Sequence, residues 1–419
     1  MIKEIQLQDW KSFKLANLYI DPLTVLIGTN ASGKSNALDA FLFLQRITSG
    51  ISLSSALQGG TNVTGLRGGI EWVCRKGQNV FSLQITVEGG ERTEFVYTLE
   101  AEVVNQNCLI KKERLERKIF RPRTKKNPYI IRLFWTGEIE SDVSSVTAYL
   151  YNEKRGTQRP CTRNNSVLSQ LLLQTGTLRK EVAQGIETVS RKLQEIFILD
   201  PVPSHMRDYS PLSDKLKNDA SNIAGVIAAL PAESKTNIEN TLTNYVKHLP
   251  EKDVMAVYSE YVGKFKTDAM LYCEEKWTEL TNSTTIDARG MSDGTLRFLA
   301  VLTALLTRPT GSLLIVEEID NGLHPSRSKL LIKVLKKIAQ ERNIDILVTT
   351  HNPALLDNLG SEMIPFIVIS HRDNTTGHSQ LTLLEDIDEL PKLLARGPVG
   401  KLSGEGRLES ALRRKERLI

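Results

Sequence analysis

Eight residues, Gly28-Thr29-Asn30-Ala31-Ser32-Gly33-Lys34-Ser35, fit the phosphate-loop pattern G-x-x-x-x-G-K-[ST]. The apolar run Leu23-Thr24-Val25-Leu26-Ile27 precedes them and a helix-like stretch from Asn36 to Gln45 follows. A strand, a tight turn and a helix N-terminus are thereby fixed in that order, the geometry that wraps backbone N–H groups around a triphosphate. Gly28 and Gly33 let the backbone approach the phosphates, Lys34 neutralises the β and γ oxygens, and the Ser35 hydroxyl can hold Mg²⁺. Asn30, Ala31 and Ser32 within the turn, and Asn36 just after it, complete the expected nucleotide-binding set.

At 419 residues the chain can bury a substantial core, and its length suggests two or three lobes. With 40% hydrophobic and 25% charged residues, neither disorder nor a fibre is indicated. No apolar stretch approaches the ~20 residues that cross a bilayer. The first twenty residues carry charges without a signal-peptide pattern, so a soluble, cytosolic protein without membrane association is expected. Cys74, Cys108, Cys161 and Cys273 show no C-x-x-C spacing and read as buried thiols. The net charge of +5 is mild, but its distribution is uneven: from Lys111 to Lys126 there are nine Lys or Arg against two Glu. Such a run, which includes Lys112, Arg114, Arg117, Lys118, Arg121, Arg123 and Lys125, can track a DNA phosphate backbone or form a solvated strand face.

Short strands are expected from Ile2 to Ile20, interrupted by Asp9-Trp10-Lys11-Ser12-Phe13. A Gly/Ser-rich connection from Ser49 to Gly69 reads as a surface excursion. Alternation in Val80 to Val87 and Glu94 to Leu99, around Glu88-Gly89-Gly90-Glu91, predicts a hairpin and an antiparallel sheet beside a parallel one. Helical spacing in Ile223, Val226, Ile227, Leu230, Leu242, Tyr245 and Val246 predicts a mostly helical arm. The expected organisation is therefore an N-terminal lobe over 1–200, a helical insertion over 201–284, a C-terminal lobe over 285–395 and a basic tail over 396–419, with Arg413, Arg414, Lys415 and Arg417. Phe366 to Ser370 reads as an edge strand.

Later motifs narrow the chemistry. Gly311 to Glu318 is a buried-strand run ending in two carboxylates. Such a strand is expected beside the loop strand, with Glu317 on the metal side and Glu318 polarising the water that attacks the γ-phosphate. Met291-Ser292-Asp293-Gly294-Thr295 precedes an apolar helical run, and Ser292 or Asp293 can cap that helix. A Ser-x-Gly at a helix start is also an anion site. The strand Ile344 to Val348 closes on Thr349-Thr350-His351, where His351 is placed to sense the γ-phosphate.

In order and spacing these motifs resemble the ABC-type ATPase heads of the RecF, RecN and SMC kind, and most closely the stand-alone OLD-like AAA ATPases of genome maintenance and phage defence. Trp10-Lys11-Ser12-Phe13 is similar to the N-terminal segment that approaches the nucleotide, implicating Lys11 and Ser12. Gly28 to Ser35 resembles Walker A, Met291 to Thr295 the ABC signature, Leu313 to Glu318 Walker B, His351 the switch histidine, and Asn321-Gly322-Leu323-His324-Pro325 a turn of the OLD-like branch. The resemblance covers about residues 1–100 and 285–375. Glu317-Glu318 departs from the usual Asp-Glu, which suits slow turnover, and Asp293 stands where transporter heads have a small residue. Gln84 and Gln106 are weak candidates for the glutamine of the Q-loop.

The resemblance implies an α/β fold, a P-loop NTPase of ABC-ATPase head type with a mixed parallel core sheet, an antiparallel β-subdomain and an inserted helical lobe. It implies ATP hydrolysis with Mg²⁺ held by Ser35 and Glu317, and catalysis by Lys34, Glu318 and His351. It implies a homodimer in which Ser292 and Gly294 act on the ATP of the other head. Full OLD nucleases append a metal-dependent domain at the C-terminal end; here Glu385, Asp386, Asp388 and Glu389 read as a helix entry, so a separate effector, a nuclease or toxin, is expected. The implied function is regulation of that effector in antiviral defence, the alternatives being a RecF-like DNA-binding repair ATPase and a small-molecule kinase.

Overall fold

The computed structural model describes residues 1–60, 63–120, 127–137, 139, 143–249, 254–276, 283–322 and 325–416. Arg121, Arg123, Lys125 and Lys126 of the basic run, Leu323 and His324 of the Gly-Leu-His-Pro turn, and Arg417 lie outside the described residues.

The chain opens with β1 (Ile2–Gln8), β2 (Leu15–Tyr19) and β3 (Leu23–Ile27), followed by α1 (Lys34–Thr48) and α2 (Leu53–Gln58). Six strands come next: β4 (Val80–Glu88), β5 (Thr93–Val104), β6 (Asn107–Ile119), β7 (Tyr129–Thr136), β8 (Ser145–Leu150) and β9 (Thr157–Thr162). Two helices, α3 (Val167–Leu172) and α4 (Lys180–Gln194), lead to β10 (Phe197–Leu199). Then follow β11 (Ser210–Pro211), α5 (Ile223–Ala229), α6 (Ala232–Val246), β12 (Val254–Val262), β13 (Asp268–Glu275) and β14 (Thr284–Asp287). The last part alternates: α7 (Asp293–Thr307), β15 (Leu313–Val316), α8 (Pro325–Arg342), β16 (Asp345–Thr349), α9 (Pro353–Asp357), β17 (Ile367–Arg372) and β18 (Ser379–Leu383). Three short helices finish it, α10 (Leu390–Leu394), α11 (Val399–Gly404) and α12 (Arg407–Glu416).

A six-stranded sheet, in the order β10-β15-β16-β3-β17-β18, is parallel except for β18. β3, β15 and β16 are buried along their whole length, as expected of parallel strands covered on both faces. Alternate residues enter separate cores. Val25, Ile27, Leu314, Val316, Ile346 and Val348 pack with the helices of the C-terminal part, whereas Leu26, Leu313, Ile315 and Leu347 pack with α1 and the antiparallel sheet. This period of two explains why the sequence shows uninterrupted apolar runs here.

Two expectations about strand order need correction. β16 lies between β15 and β3, so the carboxylate strand is one strand removed from the phosphate-loop strand. β17, read as an edge, is interior, because β18 turns back on it and takes the edge.

The eight-stranded antiparallel sheet, β2-β1-β4-β5-β6-β7-β8-β9, contains the expected hairpin, with Leu83 paired to Leu99 across β4 and β5. On β6 the basic run is split by strand alternation. Arg117 shares the inward side with buried Leu115, Lys111 pairs with Glu100 at 3.3 Å, and Arg114 pairs with Glu116 at 3.9 Å. The described cations of the run thus divide between the two faces of β6.

The 201–284 segment also differs from the helical arm expected of it. α5 and α6 carry the helical spacing of Ile223 to Val246, but β11, β12, β13 and β14 build a separate antiparallel sheet beside them. Buried positions in β12 recur with a period near two, at Val254, Val257 and Ser259, with a register shift between Val254 and Ala256.

Beneath the antiparallel sheet, Glu113 of β6 is 1% exposed and caps α3, accepting from Val167 N–H and Leu168 N–H at 2.8 Å each, and from the Tyr97 and Ser166 hydroxyls. Burial pushes its carboxyl up to about 7, against the pull of these donors. Between the unfolded value near 4.5 and the folded value near 7, the native state holds a proton that the unfolded chain has released. Stability from this group therefore declines as pH rises through that window, by about 3 kcal/mol, and levels off above it. Urea unfolding at pH 5 and pH 7.5 should show this loss, and Glu113→Gln should reduce the pH dependence, leaving the part due to Asp345, whose carboxyl burial also pushes up to about 7.

Candidate functional site

The phosphate loop leaves β3 at Ile27 and enters α1 at Lys34. Gly28 (φ 144°) and Gly33 (φ 119°) adopt conformations that a side chain would oppose. A Cβ at Gly28 would run into the Ser370 carbonyl, and one at Gly33 would stand 2.7 Å from Ser379 Oγ. The first turn of α1 has no acidic residue and no side-chain cap, so its N–H groups and dipole are left for an anion. Ser32 Oγ is buried without a hydrogen-bond partner among the described residues. Lys34 Nζ donates to the carbonyls of Gly28 at 2.6 Å and Thr29 at 3.0 Å; burial lowers its pKa and Glu318 opposes the shift. An ammonium folded over a loop of free N–H groups fits a phosphate chain.

At the neighbouring strand ends, Glu317 N–H donates to Leu199 O at 3.1 Å and Glu318 N–H to Thr349 Oγ1 at 2.8 Å. These bonds tie β15 to β10 and β16 just where the carboxylates emerge. Glu318 has φ 44°, a left-handed conformation that is costly for a residue with a side chain and is found preferentially at functional sites. His351 is exposed at the end of β16. Parallel strands place the phosphate loop, His351 and Glu317-Glu318 along one sheet edge in the order β3, β16, β15.

Two charged residues at this edge escaped the sequence reading. Arg67 donates from Nη2 to both Glu317 oxygens, at 3.0 and 3.2 Å. It belongs to the Gly-rich connection expected to be a surface excursion, which instead returns to the site; an arginine among Gly65, Gly68 and Gly69 was the available signal. Asp200 follows β10 and so stands beside Glu317. Burial raises both pKa values; Arg297 and Arg67 oppose the shift at Asp200, and Arg67 opposes it at Glu317.

The N-terminal segment braces α1. Buried Trp10 donates to Asn36 O at 2.7 Å, and Asn36 Nδ2 donates to Ser12 Oγ at 2.8 Å. Lys11 Nζ is held by Asp39 at 2.5 Å and by the Arg67 carbonyl at 2.8 Å, so its charge is matched within the scaffold. Gln84 bonds Thr98 on the antiparallel sheet, and Gln106 sits in the β5–β6 turn, so neither belongs to this edge.

Ser292 caps α7, accepting from Thr295 N–H at 3.1 Å, while Gly294 is buried in the first turn. Arg207 pins the turn: it donates to the carbonyls of Ala288, Arg289 and Met291 at 3.2, 2.9 and 2.8 Å, and pairs with Asp293 at 2.5 Å. Among the described residues, no hydrogen bond or ion pair joins Ser292 or Gly294 to the phosphate loop. Arg207→Ala should loosen residues 288–294 by about 1–3 kcal/mol. Hydrogen exchange should then speed up in that turn and stay unchanged at the start of α1.

Solved structures that resemble the chain include SMC heads. The structure titled "Crystal structure of the SmcHead bound to the C-winged helix domain of ScpA" aligns with a TM-score of 0.50 at 14% identity, covering 91% of this chain and 97% of that one. An SMC head domain from Thermotoga maritima (TM-score 0.41, 11% identity, 91% and 98% covered) and one from Pyrococcus furiosus with an extended coiled coil, bound to the C-terminal domain of ScpA (0.41, 13%, 94% and 98%), align more loosely. The first of these shows the fold, a P-loop NTPase of ABC-ATPase head type. No curated protein matches the sequence. Residues 23–357, which hold the phosphate loop, the Ser292 turn, the carboxylate pair and His351, match one family over most of the chain. The chain belongs to the family described as "AAA domain, putative AbiEii toxin, Type IV TA system".

Proposed function

We propose that this protein binds and hydrolyses ATP and uses ATP-dependent dimerisation to control a partner effector in prokaryotic antiviral defence. One observation carries the reading: the phosphate loop, His351 and the Glu317-Glu318 pair share one edge of the parallel sheet, while the Ser292 turn, pinned by Arg207, makes no hydrogen bond or ion pair to the phosphate loop among the described residues. A signature turn without a phosphate in its own chain is suited to the phosphate of a second copy. The toxin–antitoxin setting in the family's description supports a defence role, and the SMC head solved bound to the C-winged helix domain of ScpA supports a protein partner.

In this scheme Lys34 releases the Gly28 and Thr29 carbonyls to take the β and γ oxygens, and the N–H groups at the start of α1 hold the phosphates. Glu318 orients and polarises the attacking water, with its backbone fixed by Thr349. His351 faces the γ-phosphate from the strand between. Ser35 and Glu317 offer the hard oxygen donors that Mg²⁺ prefers, and Arg67 shares the Glu317 carboxylate. An ion held there would neutralise phosphate charge. Hydrolysis changes the charge at the dimer seam, which shifts the population of closed dimers and hence the state presented to the effector.

Lys34→Ala should abolish ATP binding in calorimetry. Glu318→Gln should keep binding, slow phosphate release by about a hundredfold or more, and accumulate a dimer in light scattering with ATP and magnesium. A chain that stays monomeric there, or that hydrolyses normally after Ser292→Glu, rules out the shared-site scheme. Co-expression of Glu318→Gln with the neighbouring genes should retain the effector on the trapped dimer and lose it in Lys34→Ala.

A further inference from the structure

A cleft of about 570 Å³ opens beside the helix end of the phosphate loop, with Ser12 and Asn36 on its floor. Asn36 follows the phosphate loop directly, so the cleft adjoins any phosphate held over Gly28 to Ser35 and has room for a nucleoside. One wall is the segment carrying Trp72, Arg75 and Lys76; the other is the β17–β18 turn with Arg372 and His378. The turn is firmly built. Asp373 accepts from Thr375 N–H at 2.9 Å and Thr376 N–H at 2.6 Å, and its own N–H donates to His378 O at 2.9 Å.

The cleft's charge is more than a nucleoside requires. A base and a ribose are neutral, yet no carboxylate lines the cleft among the described residues. Three of its cations are already matched, Lys11 by Asp39, Arg67 by Glu317 and Arg75 by Asp9. Arg75 gives Nε to Asp9 at 2.6 Å and turns Nη1 toward His378 Nε2 at 3.3 Å, bridging the two walls. Arg372 gives Nε to the Ala31 carbonyl at 2.9 Å, which matches no charge. Lys76 is exposed, with no ion pair among the described residues. Arg372 and Lys76 therefore both line the cleft with no ion pair among the described residues, and Trp72, 64% exposed, adds an aromatic side chain to the same lining.

We infer that this cleft binds a nucleotide carrying a second phosphate on its ribose, with the base against Trp72 and the added phosphate between Lys76 and Arg372. The inference rests on the ATP-binding reading of the phosphate loop. Two sources share this chemistry, a free ribose-phosphorylated nucleotide and the 5′-triphosphate end of a nucleic-acid strand, whose first ribose carries a 3′-phosphodiester.

Calorimetry on the full-length Glu318→Gln chain should compare ATP, 3′-phosphoadenosine 5′-triphosphate and the dinucleotide pppApA. The 3′-phosphate should tighten binding about tenfold or more over ATP. Lys76→Glu should bring the ratio of the two Kd values close to one, and Trp72→Ala should weaken both nucleotides. A matching gain with pppApA assigns the site to a strand end, and a gain confined to the mononucleotide assigns it to a free nucleotide. Equal affinity for ATP and both probes overturns the inference while leaving ATP binding intact. Absence of ATP binding overturns the underlying reading and the inference with it.

Discussion

Burial of the parallel sheet on both faces is the constraint from which the rest of the architecture follows. Each central strand sends alternate side chains into two different apolar cores, one with α7 and α8 and one with α1 and the antiparallel sheet. A strand so enclosed is mostly apolar until it leaves the sheet, with buried Thr24 and Asp345 near strand starts, and β3 and β15 place their polar chemistry immediately beyond their C-terminal ends. β16 does the same with His351. The functional edge is thus the boundary at which burial stops.

Charge at that edge is held in tension. Asp200, Glu317 and Glu318 gather near one another, and Arg67 reaches in from a loop far away in sequence to bond Glu317. Burial disfavours the ionised carboxylates while the arginine favours them, so a cation is part of the edge from the outset. The left-handed backbone at Glu318 adds a second local cost, maintained by the bonds to Thr349 on β16. Both features leave the edge dependent on its neighbours.

The connection between the two motif regions runs through short segments. Seven residues after Asp200, Arg207 grips four groups of the Ser292 turn. The strand end beside Glu317 and the turn that caps α7 are therefore mechanically close despite being separate in chemistry. The 201–284 sheet and helices follow Arg207 directly in the chain and return to the Ser292 turn through β14.

The phosphate loop, the carboxylate pair and the capping serine were legible because each depends on residues adjacent in sequence: glycines with positive φ, a strand that ends in acids, a side chain that accepts from its own helix. Strand order was not legible, since β16 enters between β15 and β3 only through long-range pairing. Nor were Arg67 and Asp200, which become part of the site through folding, or the fate of the Lys111–Lys126 run, whose described cations β6 distributes between two faces and partly matches with glutamates. The sequence by itself determined the local conformations and the identity of the reactive groups, because short-range sterics and hydrogen bonds set those. Only the tertiary structure decided which of them meet, because the sheet's double-sided burial selects the strand neighbours, and those neighbours select the charges.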